Sequence, residues 1–499
     1  MNDDINVSLQ GSIDSSTAKP ESSAQALKAA DKVNNRGPGA PPEVQEANQG
    51  YIINRRLHRL PQPRSLPSVM REVMSAAPEE IRRAVFDVMT AMLTVYTTRV
   101  RVRYPTENEE GVLVLQVYIE GPQSSGKGFV RFVRAIVLQP IASHDAEERG
   151  KEHEYMELKR CRRSQKDLPP QPQTVILLLQ PNTSISMLVK RASVPMQKYG
   201  SPVTLLLVTE EISTIQEAAK RQFSNYKIAM RSGYDLGDLF GQDYLSETTC
   251  SDEVDILFSF VGCGTPKAMD QFFDEKTREG GNASRSVFNF MPDRMGEGPL
   301  CFKPFTDEQR QRIDEGLQRL MSGLFNPDGS LHDEIHLDTK WLNPTIHKWL
   351  EERRQDVVKN MSVAMDTCYK RSALSAFRMA ALVQYMYELD GDKSTPEIHR
   401  YVKQVFLSSA DHIYINMMTK FGQSFDESND AESAQAYRAP RTFDLLPDEF
   451  SRDFLKRYFA ENKLKTDPKV MLSKWRKKGL VENVGIDRNL FRKTKKGLM

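Results

Sequence analysis

The sequence predicts an α/β fold in which a mostly parallel sheet is covered by helices on both faces. Between about residues 100 and 305, four short apolar blocks recur: VLVLQVYI, TVILLLQ, VTLLLVT and VDILFSFVG. Each block is apolar throughout rather than alternating, and helical segments separate the blocks, which is the pattern of strands buried on both faces. A chain of 499 residues is long enough to add further domains around such a core.

Composition and hydrophobic spacing divide the chain into six segments. Residues 1–50 contain no Phe, Tyr or Trp, so they cannot bury enough apolar surface to offset the entropy of ordering. The predicted organisation is a disordered arm (1–50), an N-terminal helical module (51–98), an α/β core (99–305), a helical lid domain (306–423), a polar linker (424–440) and a basic C-terminal domain (441–499).

Residues 143–172 form a charged insertion in the core. They begin acidic, end basic and stop at prolines, which favours a helix whose charges suit its dipole. Two interpretations stay open: a solvated helical excursion, or an arm that contacts DNA or a partner.

Whole-chain composition excludes several classes of protein. The formal net charge is only +2, so an argument for nucleic-acid binding must rest on a local patch. The five cysteines are scattered and never form a CxxC pair, which disfavours a disulfide framework or a zinc ribbon and favours a reducing cytoplasm. The longest apolar runs are well short of the roughly 20 residues that span a bilayer, so we expect no membrane segment.

The stretch EGPQSSGKGFV, residues 120–130, carries the strongest chemical signal. It follows the first apolar block and precedes a segment with apolar residues at helical spacing, and strand, GxxxxGK, helix is the context of a phosphate-binding P-loop. Backbone N–H groups and the helix N-terminus would face the phosphates, and the lysine would reach the β and γ oxygens. The predicted nucleotide-binding residues are Gly121, Ser124, Ser125, Gly126, Lys127, Gly128 and Phe129.

Gly128 stands where a Ser or Thr hydroxyl normally ligates Mg²⁺ in this motif. The ion would then be held by water, by Ser124 or Ser125, or by an acidic partner. The sequence TEE after the block VTLLLV supplies that partner, because ligands bind at the carboxyl ends of strands in open α/β sheets. We expect Glu210 to hold Mg²⁺ and Glu211 to orient the attacking water, although the two roles are interchangeable on sequence grounds.

Several weaker candidates surround these residues. Thr265 ends the fourth block and is a candidate sensor of the γ-phosphate, and Arg285 precedes a further apolar strand, where ring-forming ATPases place an arginine aimed at a neighbouring subunit. Arg371 and Arg378 are candidate lid arginines. The pair His332 and His336 has a zinc-like spacing, but its context argues against a metal site.

The C-terminal segment is predicted to be a DNA-binding winged helix. Two amphipathic helices and a hairpin follow one another, and residues 451–499 hold 15 Lys or Arg against 5 Asp or Glu. A basic face on the second helix of such a unit suits phosphate contacts, because each neutralised phosphate releases counterions. The predicted DNA-binding residues are Lys469, Lys474, Arg476, Lys477, Lys478, Arg488, Arg492 and Lys493.

Between about residues 60 and 420, the order of segments resembles a known family. These segments include VYIEGPQSSGKG, VTLLLVTEE, VGCGTPKAMDQFF, GGNASRSVFNFMPD and FRMAALVQYMYEL. They are similar to the domain-of-unknown-function family numbered 3987, P-loop proteins of plasmids and integrated mobile elements. The resemblance implies an ATPase with helicase-like or replication-initiation character, with Lys127, Glu210 and Arg285 at the phosphate, acidic and arginine positions. The family often has another acidic residue where this chain has Val208.

The resulting prediction is a cytoplasmic P-loop ATPase of slow turnover that uses ATP and Mg²⁺. It would act on single- or double-stranded DNA as a homo-oligomer, a ring being one form, in replication or mobilisation of a mobile element. Two alternatives remain: a nucleotide-gated DNA-binding regulator without helicase activity, and a scaffold with a vestigial nucleotide site.

Overall fold

The computed structural model describes residues 44–47, 51–54, 58–161, 168–222, 226–242, 252–274, 281–292, 294–360, 362–392, 395–432, 443, 446–461, 467–484 and 489–494. The chain divides into two compact units, Met1–Val44 with Asn54–Arg56, and Gln45–Ile53 with Leu57–Met499. Only Val44 and Asn54 of the first unit are described, so nearly all of the predicted arm lies outside the described residues.

The α-helices of the described residues are α1 (Ser68–Ala76), α2 (Arg82–Leu93), α3 (Phe129–Val137), α4 (Gln139–Cys161), α5 (Ile185–Tyr199), α6 (Ile212–Gln222), α7 (Tyr226–Ser232), α8 (Pro266–Phe272), α9 (Asp307–Leu324), α10 (Asn343–Asn360), α11 (Val363–Leu389), α12 (Pro396–Glu432), α13 (Arg452–Glu461) and α14 (Pro468–Lys477).

The strands are β1 (Val44–Ala47), β2 (Tyr51–Asn54), β3 (Val100–Arg101), β4 (Gln116–Glu120), β5 (Leu178–Leu179), β6 (Thr204–Thr209), β7 (Leu239–Gln242), β8 (Asp252–Asp255), β9 (Leu257–Gly264), β10 (Ser286–Phe290), β11 (Ile335–His336), β12 (Glu449–Ser451), β13 (Val481–Asn483) and β14 (Leu490–Lys493).

The central sheet has five parallel strands in the order β10-β4-β9-β6-β5. In register, Glu120 lies level with Phe290 on one side and with Gly264 on the other. The carboxyl ends of these strands therefore meet at one edge, which we call the carboxyl edge, and the opposite border is the amino edge. The predicted α/β class with a mostly parallel central sheet is confirmed.

Helices cover both faces of this sheet, as the continuous apolar blocks require. On β9, the Ser259 hydroxyl meets Thr94, which follows α2, at 2.7 Å. The next side chain along a strand points to the other face, and there the Phe258 ring lies 6.5 Å from that of Tyr226 in α7. The core thus consists of aliphatic and aromatic side chains held between two helical layers.

The edge strand β5 is shorter than the block TVILLLQ suggested. Backbone N–H groups of this block donate to side-chain carboxylates of α4: Leu178 to Asp145 at 2.7 Å and Val175 to Glu148 at 2.8 Å. Carboxylates replace a further strand as acceptors along this edge. The first half of the predicted insertion is therefore helical and packs on the sheet edge through Asp145 and Glu148, while many of its other side chains are exposed. An arm that contacts DNA or a partner stays a prediction.

The region predicted as lid and linker is mainly helical. It contains α9 to α12 and the short strand β11, which pairs with β3 of the core. The last helix, α12, extends to Glu432 and so enters the predicted linker. The helix continues past residue 424 because Phe425 is buried against Phe421 and the segment contains no proline.

The C-terminal elements form a small unit with its own hydrophobic cluster. Two helices, α13 and α14, pack beside a three-stranded antiparallel sheet in the order β12-β14-β13. Trp475 is fully buried at the centre, with the Phe443 ring at 4.9 Å and the Phe450 ring at 6.4 Å. Across the described residues, no helix is both long and apolar enough to cross a bilayer.

Candidate functional site

The glycine loop, residues 121–128, connects β4 to α3 at the carboxyl edge. The Gly121 N–H donates to the carbonyl of Gly264 at 3.1 Å, which ties the loop to the end of β9. Phe129 begins α3 and is buried, and the next turn buries Val130 and Val133. The loop therefore lies between a buried strand and a helix whose apolar face is anchored in the core.

Two positions in this loop have no room for a side chain, and both are glycine. Gly126 has φ of 85°, and a Cβ there would lie 2.5 Å from Leu300 Cδ1. A Cβ on Gly121 would lie 2.7 Å from that of Met291. Ser124 has φ of 64°, a left-handed conformation that costs free energy for a residue with a side chain. The loop is thus a tight turn in contact with the chain that follows β10.

Gly128 is different, since nothing lies within 4 Å of the position that its Cβ would take. Its backbone angles, φ −58° and ψ −12°, are helical and suit any residue. Neither space nor backbone strain requires glycine at this position. A Ser or Thr side chain would fit there, so steric constraints do not explain the missing hydroxyl.

The Lys127 ammonium is bonded to its own loop. Its Nζ donates to the carbonyls of Gly121, at 2.8 Å, and Pro122, and to the hydroxyl of Ser125 at 3.2 Å. Burial lowers the pKa of Lys127, and the charge of Glu211 partly opposes this effect. The lysine is therefore in place at the loop, with main-chain oxygens as partners that phosphate oxygens would replace.

An open cleft of about 520 Å³ lies between the glycine loop and the end of β6. The predicted residues Lys127, Gly128, Glu210 and Glu211 all line it. Parallel strands with aligned carboxyl ends explain why two motifs more than 80 residues apart in sequence reach the same cleft. The remaining lining residues are Arg131, Arg134, Gln180, Pro181, Val208, Thr209 and Thr214.

The two glutamates of the cleft differ in their side-chain hydrogen bonds. The Glu210 carboxylate accepts two hydrogen bonds from Arg131, at 2.9 and 2.6 Å. Glu211 is exposed, and its side chain makes no hydrogen bond or ion pair within the described part of the chain. Its position is set by its main chain, whose carbonyl accepts from the Thr209 hydroxyl at 2.9 Å. Glu211 is thus the unpaired carboxylate among the described residues of the cleft, whereas Arg131 already occupies part of the acceptor capacity of Glu210.

The residues present fit Mg²⁺ only when phosphate oxygens contribute. Mg²⁺ is normally bound by one or two carboxylates, waters and substrate phosphates. Within the described ranges, no group of three or more His, Cys, Asp or Glu side chains could hold a metal ion. The Ser125 hydroxyl is buried and bonded to Lys127, while Glu210 and Glu211 line the cleft. A carboxylate together with phosphate oxygens is therefore the donor set that this cleft offers.

Thr265 lies at the carboxyl edge, but its hydroxyl caps a helix. It accepts from the Ala268 N–H at the start of α8, at 3.4 Å. Threonine is a favourable residue at the cap and proline at the first helical position, so helix capping alone explains why Thr265 precedes Pro266. Its predicted role as a phosphate sensor stays a prediction.

The structure does not bring Arg285 to the cleft. Ser286 pairs with Gln116 at the beginning of β4, so Arg285 lies at the amino edge, roughly 13 Å of strand away from the glycine loop. Its guanidinium donates to the Gly281 carbonyl at 3.2 Å and lies 5.7 Å from the Tyr234 ring. Only 14% of the side chain is exposed. Arg285 therefore does not reach its own chain's cleft, and its predicted action on a neighbouring subunit stays a prediction.

The three arginines predicted as finger and lid residues converge at the amino edge. Arg378 donates to Asp235 at 2.5 Å, and Arg285 and Arg371 each lie 3.9 Å from the same carboxylate. Burial lowers the pKa of Arg285, and the charge of Arg371 adds to this effect. Sequence spacing could not show this, because Asp235 and Tyr234 lie in a connection without a motif.

Two of the predicted DNA-binding residues, Lys493 and Arg492, lie on the last strand and already have partners within the C-terminal unit. Lys493 is buried, with its ammonium donating to the Leu446 carbonyl at 2.7 Å, because strand alternation places it on the core side with Phe491. Arg492 is exposed but paired with Glu449 at 2.6 Å. The prediction for Lys493 is wrong, and the Glu449 carboxylate already partners Arg492.

Lys474 also has a hydrogen-bond partner within the chain. Its ammonium donates to the carbonyl of Lys359 at 2.9 Å, at the end of α10. Arg476 points elsewhere, because two residues on a helix are about 200° apart. Arg476 and Lys469 line a cleft of about 240 Å³ between α13 and α14, together with Arg452, Leu455, Lys456, Pro468, Leu472 and Ser473. Lys477 is exposed, Lys478 is half-buried, and Arg488 lies outside the described residues.

Three functional candidates were missed on sequence. Arg131 and Arg134 lie on the polar side of α3 and face the cleft, and their spacing from Lys127 was the available signal. Lys420 of α12 donates to Glu120, the last residue of β4, and to Asp270, both at 2.6 Å. No sequence signal pairs residues that are 300 positions apart. This contact joins the longest helix to the strand that leads into the glycine loop.

No protein-family model matches the chain, and no curated protein matches it either.

Proposed function

We propose that this protein is a P-loop ATPase that binds ATP at the glycine loop and hydrolyses it slowly in the cleft beside Glu211. One observation carries the proposal: Lys127, which follows β4, and two glutamates, which follow β6, line a single 520 Å³ cleft at the carboxyl edge of a parallel sheet. Ligands of open α/β sheets bind at this edge. The P-loop identity of the core also agrees with the GxxxxGK spacing between β4 and α3.

Binding would follow from groups that already face the loop. The N–H groups of the first turn of α3 donate to loop carbonyls at 3.1 to 3.3 Å, so phosphate would be attracted by the positive end of the helix dipole and by the N–H groups of the loop that precedes it. Lys127 would exchange its bonds with the Gly121 and Pro122 carbonyls for bonds with the β and γ oxygens. Charge-assisted bonds to phosphate are stronger than bonds to neutral carbonyls, which favours the exchange.

Hydrolysis would depend on the two carboxylates. Glu211 is the free carboxylate of the cleft and would accept the proton of the attacking water. Glu210 would hold Mg²⁺ through water after leaving Arg131, and Mg²⁺ would neutralise charge on the transferred phosphoryl group. Slow turnover is expected because Gly128 provides no hydroxyl for the ion and Glu210 begins in an ion pair.

The test is ATP turnover by the full chain with Mg²⁺. Lys127→Ala should lower kcat/KM by about 10² to 10³, the usual effect of removing one group that stabilises transferring charge. Glu211→Gln should lower kcat by at least about 10² while ATP binding persists, because an amide cannot accept the proton. Wild-type turnover at the level of both variants would show that this site is no ATPase.

We also propose that the C-terminal unit is a winged helix that binds DNA through the cleft between α13 and α14. Support comes from four cations that line this cleft, Arg452, Lys456, Lys469 and Arg476. The unit carries a large excess of positive charge, which makes phosphate contacts favourable and sensitive to salt. Lys493 and Lys474 are directed into the protein and are not part of this surface.

Measured DNA affinity against salt concentration tests this surface. Arg476→Ala should weaken binding and reduce the slope of log K against log salt by about 1, since one phosphate contact is lost. Arg492→Ala serves as the matched control, because its partner Glu449 already neutralises it. Equal effects of both substitutions would contradict the assignment to the cleft.

One alternative function is favoured by specific contacts. Lys127 is bonded to its own loop and Glu210 to Arg131, which suits a nucleotide-gated DNA-binding regulator that switches rather than translocates. Strand separation, a homo-oligomer and a role in replication of a mobile element remain proposals that the resemblance to the 3987 family implies. An ATPase that DNA stimulates, together with unwinding of a duplex, selects the helicase; DNA-independent turnover selects the regulator.

A further inference from the structure

The segment after β10 contacts both ends of the glycine loop. The Met291 N–H donates to the Glu120 carbonyl at 2.7 Å, just before the loop, and its side chain abuts Gly121. Leu300 abuts Gly126 near the other end of the loop. We call residues 294–305 the strap. Its far end is held to the core by Phe302, whose ring lies 4.3 Å from that of Phe132 in α3.

The strap and the glutamate cleft lie on opposite sides of the loop. Strand β4 is flanked by β10 on one side and by β9 on the other, with β6 beyond β9. Glu210 and Glu211 follow β6, whereas the strap follows β10. A triphosphate whose last phosphate faces Glu211 must therefore extend its other end along the loop toward the strap.

The strap offers chemistry that suits a nucleoside. A turn, in which the Glu297 N–H donates to the Arg294 carbonyl at 3.0 Å, places Gly296 at φ of 83°. Arg294 folds back so that it donates to the Gly298 carbonyl at 2.8 Å and pairs with Glu297 at 3.2 Å. Its side chain is 13% exposed, and its Nη1 is buried with no hydrogen-bond partner among the described residues. A buried donor without a partner is costly, and a ligand acceptor would satisfy it.

We propose that two residues of the strap, Arg294 and Leu300, bind the base and ribose of the nucleoside triphosphate. Leu300 is half-buried and provides apolar surface beside the loop, and Arg294 donates to an acceptor of the nucleoside. This assignment rests on the proposed function, because it uses the orientation of the triphosphate on the loop. It names a part of the site that no sequence motif indicated.

The experiment compares ATP with inorganic tripolyphosphate, which shares the phosphate chain and lacks the nucleoside. Binding of each ligand to the full chain is measured by calorimetry with Mg²⁺ for wild type, Arg294→Ala and Leu300→Ala. Both substitutions should weaken ATP binding about tenfold, equivalent to roughly 1.4 kcal/mol, and leave tripolyphosphate binding unchanged. Met295→Ala is the matched control, since this side chain lies at the tip of the same turn and is 93% exposed.

The outcomes separate this inference from the proposed function. If wild type binds neither ligand, both are overturned. If wild type binds both and Lys127→Ala weakens both, but Arg294→Ala leaves the preference for ATP unchanged, only the strap assignment fails. Equal weakening of the two ligands by Arg294→Ala would also overturn it, because the strap would then shape the loop rather than hold the nucleoside. Leu300→Ala contacts Gly126 directly, so Arg294→Ala is the deciding variant.

Discussion

The two edges of the central sheet hold similar charged residues in opposite states. At the carboxyl edge, Glu211 is exposed and unpaired within the described residues, and Lys127 is bonded only to its own loop. At the amino edge, Arg378 is buried and bonded to Asp235, Val114 and Tyr234. Groups that bind a ligand must be able to exchange partners, whereas Arg378 already has three partners within the fold. Burial and partners, rather than residue type, therefore separate the candidate site from the structural cluster.

The largest expected effect that tests this comparison is at Arg378. Arg378→Ala should reduce the free energy of unfolding by about 3 kcal/mol, because the buried carbonyls of Val114 and Tyr234 would lose their charged donor. Its guanidinium also lies 4.1 Å from the Tyr234 ring, a second contact that the variant loses. Urea denaturation of the full chain measures the change. Arg371→Ala is the control and should cost less than about 1 kcal/mol, since Arg371 is one-third exposed and 3.9 Å from Asp235.

A smaller effect is expected at Arg285, where the sequence predicted catalysis. Arg285→Ala should lower stability by about 1 to 2 kcal/mol, because a buried side chain with a hydrogen bond to Gly281 is lost. ATP turnover should be unchanged at protein concentrations that keep the chain monomeric. A fall in turnover of about 10³ that appears only on oligomerisation would instead show that Arg285 acts on a neighbouring subunit.

At the carboxyl edge, a substitution of Gly128 is expected to raise ATP turnover rather than lower it. Gly128→Thr should raise kcat roughly fivefold at low Mg²⁺, because the new hydroxyl has open space and can ligate the ion. Turnover against Mg²⁺ concentration measures the gain. Gly126→Ala is the contrasting variant and should lower both turnover and stability, since its positive φ and the nearby Leu300 leave no room.

The smallest effect is expected at Arg131. Arg131→Ala frees Glu210 from its ion pair and should raise kcat about twofold, since exposed pairs are weak. The gain should disappear at high salt, where screening frees Glu210 in wild type as well. A loss of turnover would mean that Arg131 contacts the phosphates instead of restraining Glu210.

The placement of some site residues could be predicted from the sequence, and that of others could not. Lys127, Gly128, Glu210 and Glu211 were placed together correctly, because each follows a strand of a parallel sheet and the carboxyl ends of such strands meet. The pairing of Glu210 with Arg131 was missed, since it depends on how α3 is rotated above β6. Lys493 was assigned to DNA because charge was counted along the chain, whereas strand alternation turns it inward.

The sequence by itself determined the local elements of this protein. Apolar blocks set the buried strands, the GxxxxGK spacing set the turn between β4 and α3, and the excess of basic residues marked the C-terminal unit. The tertiary structure alone decided which charges remain available. Residues such as Arg285 and Asp235, or Lys420 and Glu120, are neutralised by partners that are distant in sequence. Because a buried charge must find a partner and an exposed one need not, only the folded chain separates a structural ion pair from a binding site.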